Sequence, residues 1–121
     1  MIELKPVRLH EKLRSFDKHW SPKIVSSFNG HDVMVAKVYG EFVWHNHDET
    51  DNFFLVLKDR LLIDLPDGAV QPEEGDMFVI PKGMQYRPVA DEEAHVLMIE
   101  REGTPNTGSR TERTPANKGA I

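Results

Sequence analysis

Glu41-Phe42-Val43-Trp44-His45-Asn46-His47 reads as an extended run in which two histidines stand one residue apart. A strand points residues i and i+2 to the same face, so His45 and His47 are expected side by side. If that face is the inside of a barrel, two imidazoles begin a metal or small-ligand site, because neutral histidine binds metals through short, directional bonds. Whether this stretch is strand therefore decides both the fold and the place to look for chemistry.

Turn signals recur on both sides of it at the close spacing of an all-β chain: Gly40, Asp48-Glu49-Thr50, Lys58-Asp59-Arg60, Pro66-Asp67-Gly68, Pro72-Glu73-Glu74-Gly75-Asp76, Pro81-Lys82-Gly83 and Ala90-Asp91-Glu92-Glu93. Short strands fill the gaps at 41–47, 52–57, 60–65, 69–71, 77–80, 85–89 and 94–100. Upstream, β-prone runs at 23–28 and 32–39 flank Asn29-Gly30, a hairpin signal because both central residues must accept positive φ. No helical period separates the strands, so parallel crossovers are not expected, and closure as a sandwich or small barrel is.

Leu9, Leu13 and Phe16 fall at i, i+4 and i+7, the pattern of an amphipathic helix of about two or three turns. The expected organisation is one domain: an N-terminal helical segment at 1–22, a β-barrel at 23–102 and an irregular polar arm at 103–121. Phe53-Phe54-Leu55-Val56-Leu57 does not alternate, so both faces of that strand should be covered. The N-terminal helix or a second subunit would supply the outer cover, and a homodimer is the more economical.

The formal net charge of −5, with no extended lysine or arginine cluster, argues against nucleic acid or an anionic membrane as partner. The chain has no cysteine, hence no disulfide or thiolate chemistry, and Met1-Ile2-Glu3-Leu4-Lys5-Pro6 lacks the apolar run of a signal peptide. A cytoplasmic location is the expectation.

The histidine pair, the dense β pattern and Gly75-Asp76-Met77-Phe78-Val79-Ile80-Pro81-Lys82-Gly83 together make the chain resemble the small single-domain cupins. The first motif of that family runs G-x5-H-x-H-x3,4-E-x6-G. His45 and His47 match it, Gly40 stands one residue late, Asn52 takes the glutamate's place and Asp59 the closing glycine's. In the second motif, G-x5-P-x-G-x2-H-x3-N, Gly75, Pro81 and Gly83 match, while Tyr86 replaces the histidine and Ala90 the asparagine. The resemblance implies an all-β cupin-like barrel, a double-stranded jelly roll with a short N-terminal helix.

It also implies a divalent metal held inside the barrel, here by His45, His47, Asn52 and Tyr86. Zn, Ni, Fe, Mn and Cu are the candidates for such a mixed nitrogen and oxygen set. Asn52 offers a neutral amide oxygen, and Tyr86 would have to lose a proton whose ordinary pKa is about 10 before it bound strongly. Phe54 and Val56 follow Asn52 at even spacing and should line the same interior as an apolar wall. By the same alternation Asp51 should point out, and Arg87, opposite in parity to Tyr86, should make an ion pair or a dimer contact. His10, His19, His31 and His95 have no partner at ligand spacing and are read as surface or satisfied residues.

Cupins include dioxygenases, isomerases, decarboxylases, sugar-binding modules and storage proteins, so the resemblance selects no activity. The sequence supports a small cupin that binds a divalent metal weakly, a small polar ligand of sugar or organic-acid type, or both. The alternatives are a metal-free small-molecule binding module and a dimeric scaffold without catalysis.

Overall fold

The computed structural model describes residues 4–105 and 119–121. One helix, α1 (Leu9–Leu13), precedes seven strands: β1 (Lys23–Phe28), β2 (His31–Glu41), β3 (Asn52–Lys58), β4 (Leu62–Leu65), β5 (Gly68–Val70), β6 (Met77–Ile80) and β7 (Arg87–Arg101). The strand pairings are antiparallel, in the order β1-β2-β7-β3-β6, with β4 pairing both β5 and β7. The all-β barrel expected from the sequence is what forms.

Asn29 at φ 50° and Gly30 at φ 74° close the β1–β2 hairpin, with Phe28 opposite His31. Positive φ at both central residues matches the right-handed twist of the strands they join. Asp59 likewise stands at φ 65°, the left-handed geometry for which the family motif uses glycine.

β7 is the shared wall. Its residues 95–99 lie between β2 and β3, while 87–89 pair with β4 and 89–90 with the end of β2. Gly40 and the 90–93 segment, read from the sequence as turns between strands, are instead irregularities within β2 and β7. The register jumps from Val38 opposite Ala94 to Gly40 opposite Ala90, so Asp91 and Glu92 bulge outward as exposed residues. Bulges use the same glycine and acidic residues as turns, and here they bend two long strands around the barrel instead of ending them.

Two other expectations change. α1 is five residues, shorter than the apolar pattern through Phe16 implies. Lys37 Nζ donates to the Phe16 carbonyl at 2.6 Å and draws the chain down onto β2 before another turn can form. A helix this short depends on packing for its stability. The 41–47 run is not a continuous strand either: β2 ends at Glu41, and beyond it only His45 makes a β-bridge, to Tyr86. The His45 Nδ1 to Val43 carbonyl bond, 2.8 Å, folds the segment back on itself.

The core is built from the inward residues of all these strands, among them Met34, Val38, Phe54, Val56, Ile63 and Val96. Each such side chain stabilises the fold by about 1.5–3 kcal/mol relative to exposure. The outer residues of β3, Phe53, Leu55 and Leu57, are half-buried. α1 covers one end of that face, where Leu9 and Leu13 share a groove with Leu57. The arm expected at 103–121 lies mostly outside the described residues; its end runs beside β1, with Ile24 N donating to Gly119 O at 2.8 Å and Ile121 N to Ile24 O at 2.9 Å. Among the described residues no helix is long and apolar enough to cross a membrane.

Candidate functional site

His45 and Tyr86 meet across the barrel because their backbones exchange two hydrogen bonds, His45 N to Tyr86 O at 3.0 Å and Tyr86 N to His45 O at 2.9 Å. Gly83 N donates to His47 O at 2.7 Å, which ties the loop after β6 to the second histidine. Asn52 enters from the start of β3, opposite Ile80 of β6. The four residues singled out in the sequence therefore come together, and all are buried: His45 2%, His47 5%, Asn52 1% and Tyr86 2% exposed.

Their polar atoms close on one another. Asn52 Nδ2 donates to the Tyr86 hydroxyl, and that hydroxyl lies 3.2 Å from His47 Nε2. Burial, and next the negative charge of Glu100, push the Tyr86 phenol well above its ordinary pKa, against a smaller opposing effect of the Asn52 hydrogen bond. Tyr86 is therefore a neutral phenol that accepts from Asn52 and shares a hydrogen bond with His47 Nε2. Asn52 Oδ1, fully buried, has no hydrogen-bond partner among the described residues. At His45 the partner is a carbonyl, which can only accept, so Nδ1 carries a proton.

A fifth member came unannounced. Glu100 of β7 is 2% exposed, and its Oε2 lies 3.6 Å from His47 Nε2. Ala94, Val96, Met98 and Glu100 alternate inward along β7, so period-two counting from the apolar residues already points this carboxylate into the barrel.

His45, Tyr86 and Glu100 form the polar end of a small open-mouthed cavity of about 30 Å³. Trp20, Phe42 and Phe54 give it an aromatic wall. Phe54 is thus on the cavity as its spacing suggested, whereas Val56 is buried in the core away from the lining. His47 and Asn52 sit behind the lining and hold Tyr86 in place. At the mouth, Trp20 stacks on Phe42 with ring centroids 4.8 Å apart. Trp20 has φ 57°, held there by Trp20 N to Lys37 O at 2.9 Å and Nε1 to Tyr39 O at 2.9 Å. A bulky residue at positive φ is strained, and nothing in the sequence announced it.

The other predicted positions behave as read. Asp51 faces out and accepts from Lys82 N at 2.8 Å. Arg87 pairs with Asp64 through Nε and a terminal nitrogen at 3.0 and 2.8 Å. His19 and His95 both bond Glu93, at 2.9 and 3.0 Å.

A small antiparallel barrel with its polar groups gathered in the interior defines a jelly-roll fold with its candidate site inside the barrel. Its fold matches a cupin-2 domain-containing protein from Shewanella frigidimarina with a TM-score of 0.77 and 38% identity, covering 78% of this chain and 93% of that one. The chain belongs to the cupin-2 domain family. A Neisseria meningitidis protein matches with a TM-score of 0.74 and 26% identity, over 80% of this chain and 99% of its own. The uncharacterised Bacillus subtilis protein YdbB is 39% identical over 64 residues, 52% of this chain and 57% of YdbB. The chain thus spans little more than half of that curated relative. No family model matches the chain.

The donor set does not fit a divalent metal as arranged. Among the described residues no three histidine, cysteine, aspartate or glutamate side chains converge to hold one. At the two positions where the family places further ligands stand an amide, Asn52, and a phenol, Tyr86, hydrogen-bonded to each other.

Proposed function

We propose that this cupin binds a small molecule in its barrel cavity through hydrogen bonds and aromatic contact, without a metal. The observation that carries the reading is the Asn52–Tyr86–His47 chain, in which residues at family ligand positions hydrogen-bond one another. His45, Tyr86 and Glu100 line the cavity and would face a ligand whose body rests on Trp20, Phe42 and Phe54. A pocket of this kind, mostly apolar with a few convergent polar groups, is the usual form of a small-molecule site. Thermal-shift screening of small aromatic and polyol compounds tests it: a ligand whose stabilisation persists in chelator supports the reading, and binding abolished by chelator refutes it.

A homodimer is proposed as the working assembly. The outer face of β3 pairs Phe53 with Val79 and Leu55 with Met77 on β6, and with Ile99 and Leu97 on β7. Met77 and Val79 are 52% and 42% exposed, and a second copy laid on this apolar surface would remove it from water.

A further inference from the structure

The cavity's charge is one-sided. No lysine or arginine among the described residues lines it, while Glu100 does, at its polar end. The register partner of Glu100 on β2 is Asp32, a second buried carboxylate, 8% exposed. His47 Nε2 lies 3.6 Å from the Glu100 carboxylate. An incoming carboxylate or phosphate would lose its water and meet like charge, which is costly in a desolvated site.

The same wall suits the opposite charge. Trp20, Phe42, Phe54 and Tyr86 line the space beside the carboxylate, with Phe54 and Tyr86 edge to face at a centroid distance of 6.0 Å. Aromatic faces attract cations through their negative quadrupoles, most strongly when water is excluded. The strained backbone of Trp20 puts the best of these faces at the mouth. His45, whose Nδ1 bonds the Val43 carbonyl, stands in the same lining.

We propose that the cavity takes a small organic cation, an amine or ammonium carried on an apolar body, with its charged nitrogen toward Glu100 and its body against the aromatic wall. This rests on the small-molecule reading above and narrows the organic-acid or sugar class suggested by the sequence.

Calorimetric titration of the whole protein with benzylamine, benzyl alcohol and benzoate tests it, because the three share a ring and differ in charge. The expected order is benzylamine tighter than benzyl alcohol by about tenfold or more, with benzoate not binding. Glu100→Gln should bring benzylamine down to benzyl alcohol and leave the alcohol unchanged. The ranking on the unmodified protein decides the matter even if that variant does not fold. Benzoate binding as tightly as benzylamine, or an amine preference that survives Glu100→Gln, overturns the cation assignment and leaves the small-molecule reading standing. Binding by none of the three overturns both.

Discussion

The rings of His45 and Tyr86 pack at a tilt of 48° with centroids 4.4 Å apart because their backbones are paired in an antiparallel bridge. Tyr86 is thereby fixed from its main chain, and its hydroxyl becomes the junction between Asn52 and His47. Removing only that oxygen should expose how much the junction contributes. Tyr86→Phe leaves the Asn52 amide and His47 Nε2 without their shared partner in a buried site, and a loss of about 1–3 kcal/mol is expected. Urea unfolding measures it; an unchanged midpoint would show that the network adds nothing to stability.

The fold was legible where backbone demands are local. Asn29-Gly30 announced its hairpin, and Met77 to Ile80 form a strand with the bounds read from the sequence. Gly40 and Ala90 to Glu93 were misread because bulges and turns draw on the same residues, and only the pairing of β2 with β7 distinguishes them. The buried cluster was found through the family motif positions. Glu100 lies beyond the second motif, where only the alternation of β7 could reveal it. Trp20 was beyond reach, since its positive φ follows from tertiary hydrogen bonds to Lys37 and Tyr39.

Glu93 should give the protein an acid-sensitive contact. Hydrogen bonds from His19, then from His95, lower its pKa from 4.5 to about 2. A carboxylate depressed in the folded state contributes stability above its unfolded pKa and loses it as pH falls, here between 4.5 and about 2. Its side chain is 43% exposed, so solvent screening keeps the contribution at about 1 kcal/mol or less. Melting temperature followed across that window should fall less steeply in Glu93→Gln than in the parent, and parallel curves would refute the assignment.

The outer face of β3 and β6 should govern assembly. Charge placed at its most exposed apolar positions, Met77→Glu with Val79→Glu, is expected to convert a dimer to a monomer in light scattering behind size exclusion. A dimer that survives both substitutions uses another surface, and a monomeric parent removes the proposal altogether.

The strain at Trp20 should be tied to the cavity mouth. Trp20→Ala removes the ring stacked on Phe42 and is expected to weaken benzylamine binding by roughly tenfold. Calorimetry checks this, and unchanged affinity would separate the indole from the ligand.

The central proposal is that this barrel, with Asn52 and Tyr86 at two of the family's ligand positions, binds its small molecule without a metal. Elemental analysis of untagged protein after reconstitution with Zn²⁺, Ni²⁺, Fe²⁺, Mn²⁺ and Cu²⁺, beside the double variant Asn52→Glu with Tyr86→His, tests it most directly. The parent should retain less than about a tenth of an equivalent of any metal and the variant close to one, because only the variant restores the family's ligand types. A parent that holds about one equivalent would contradict the account.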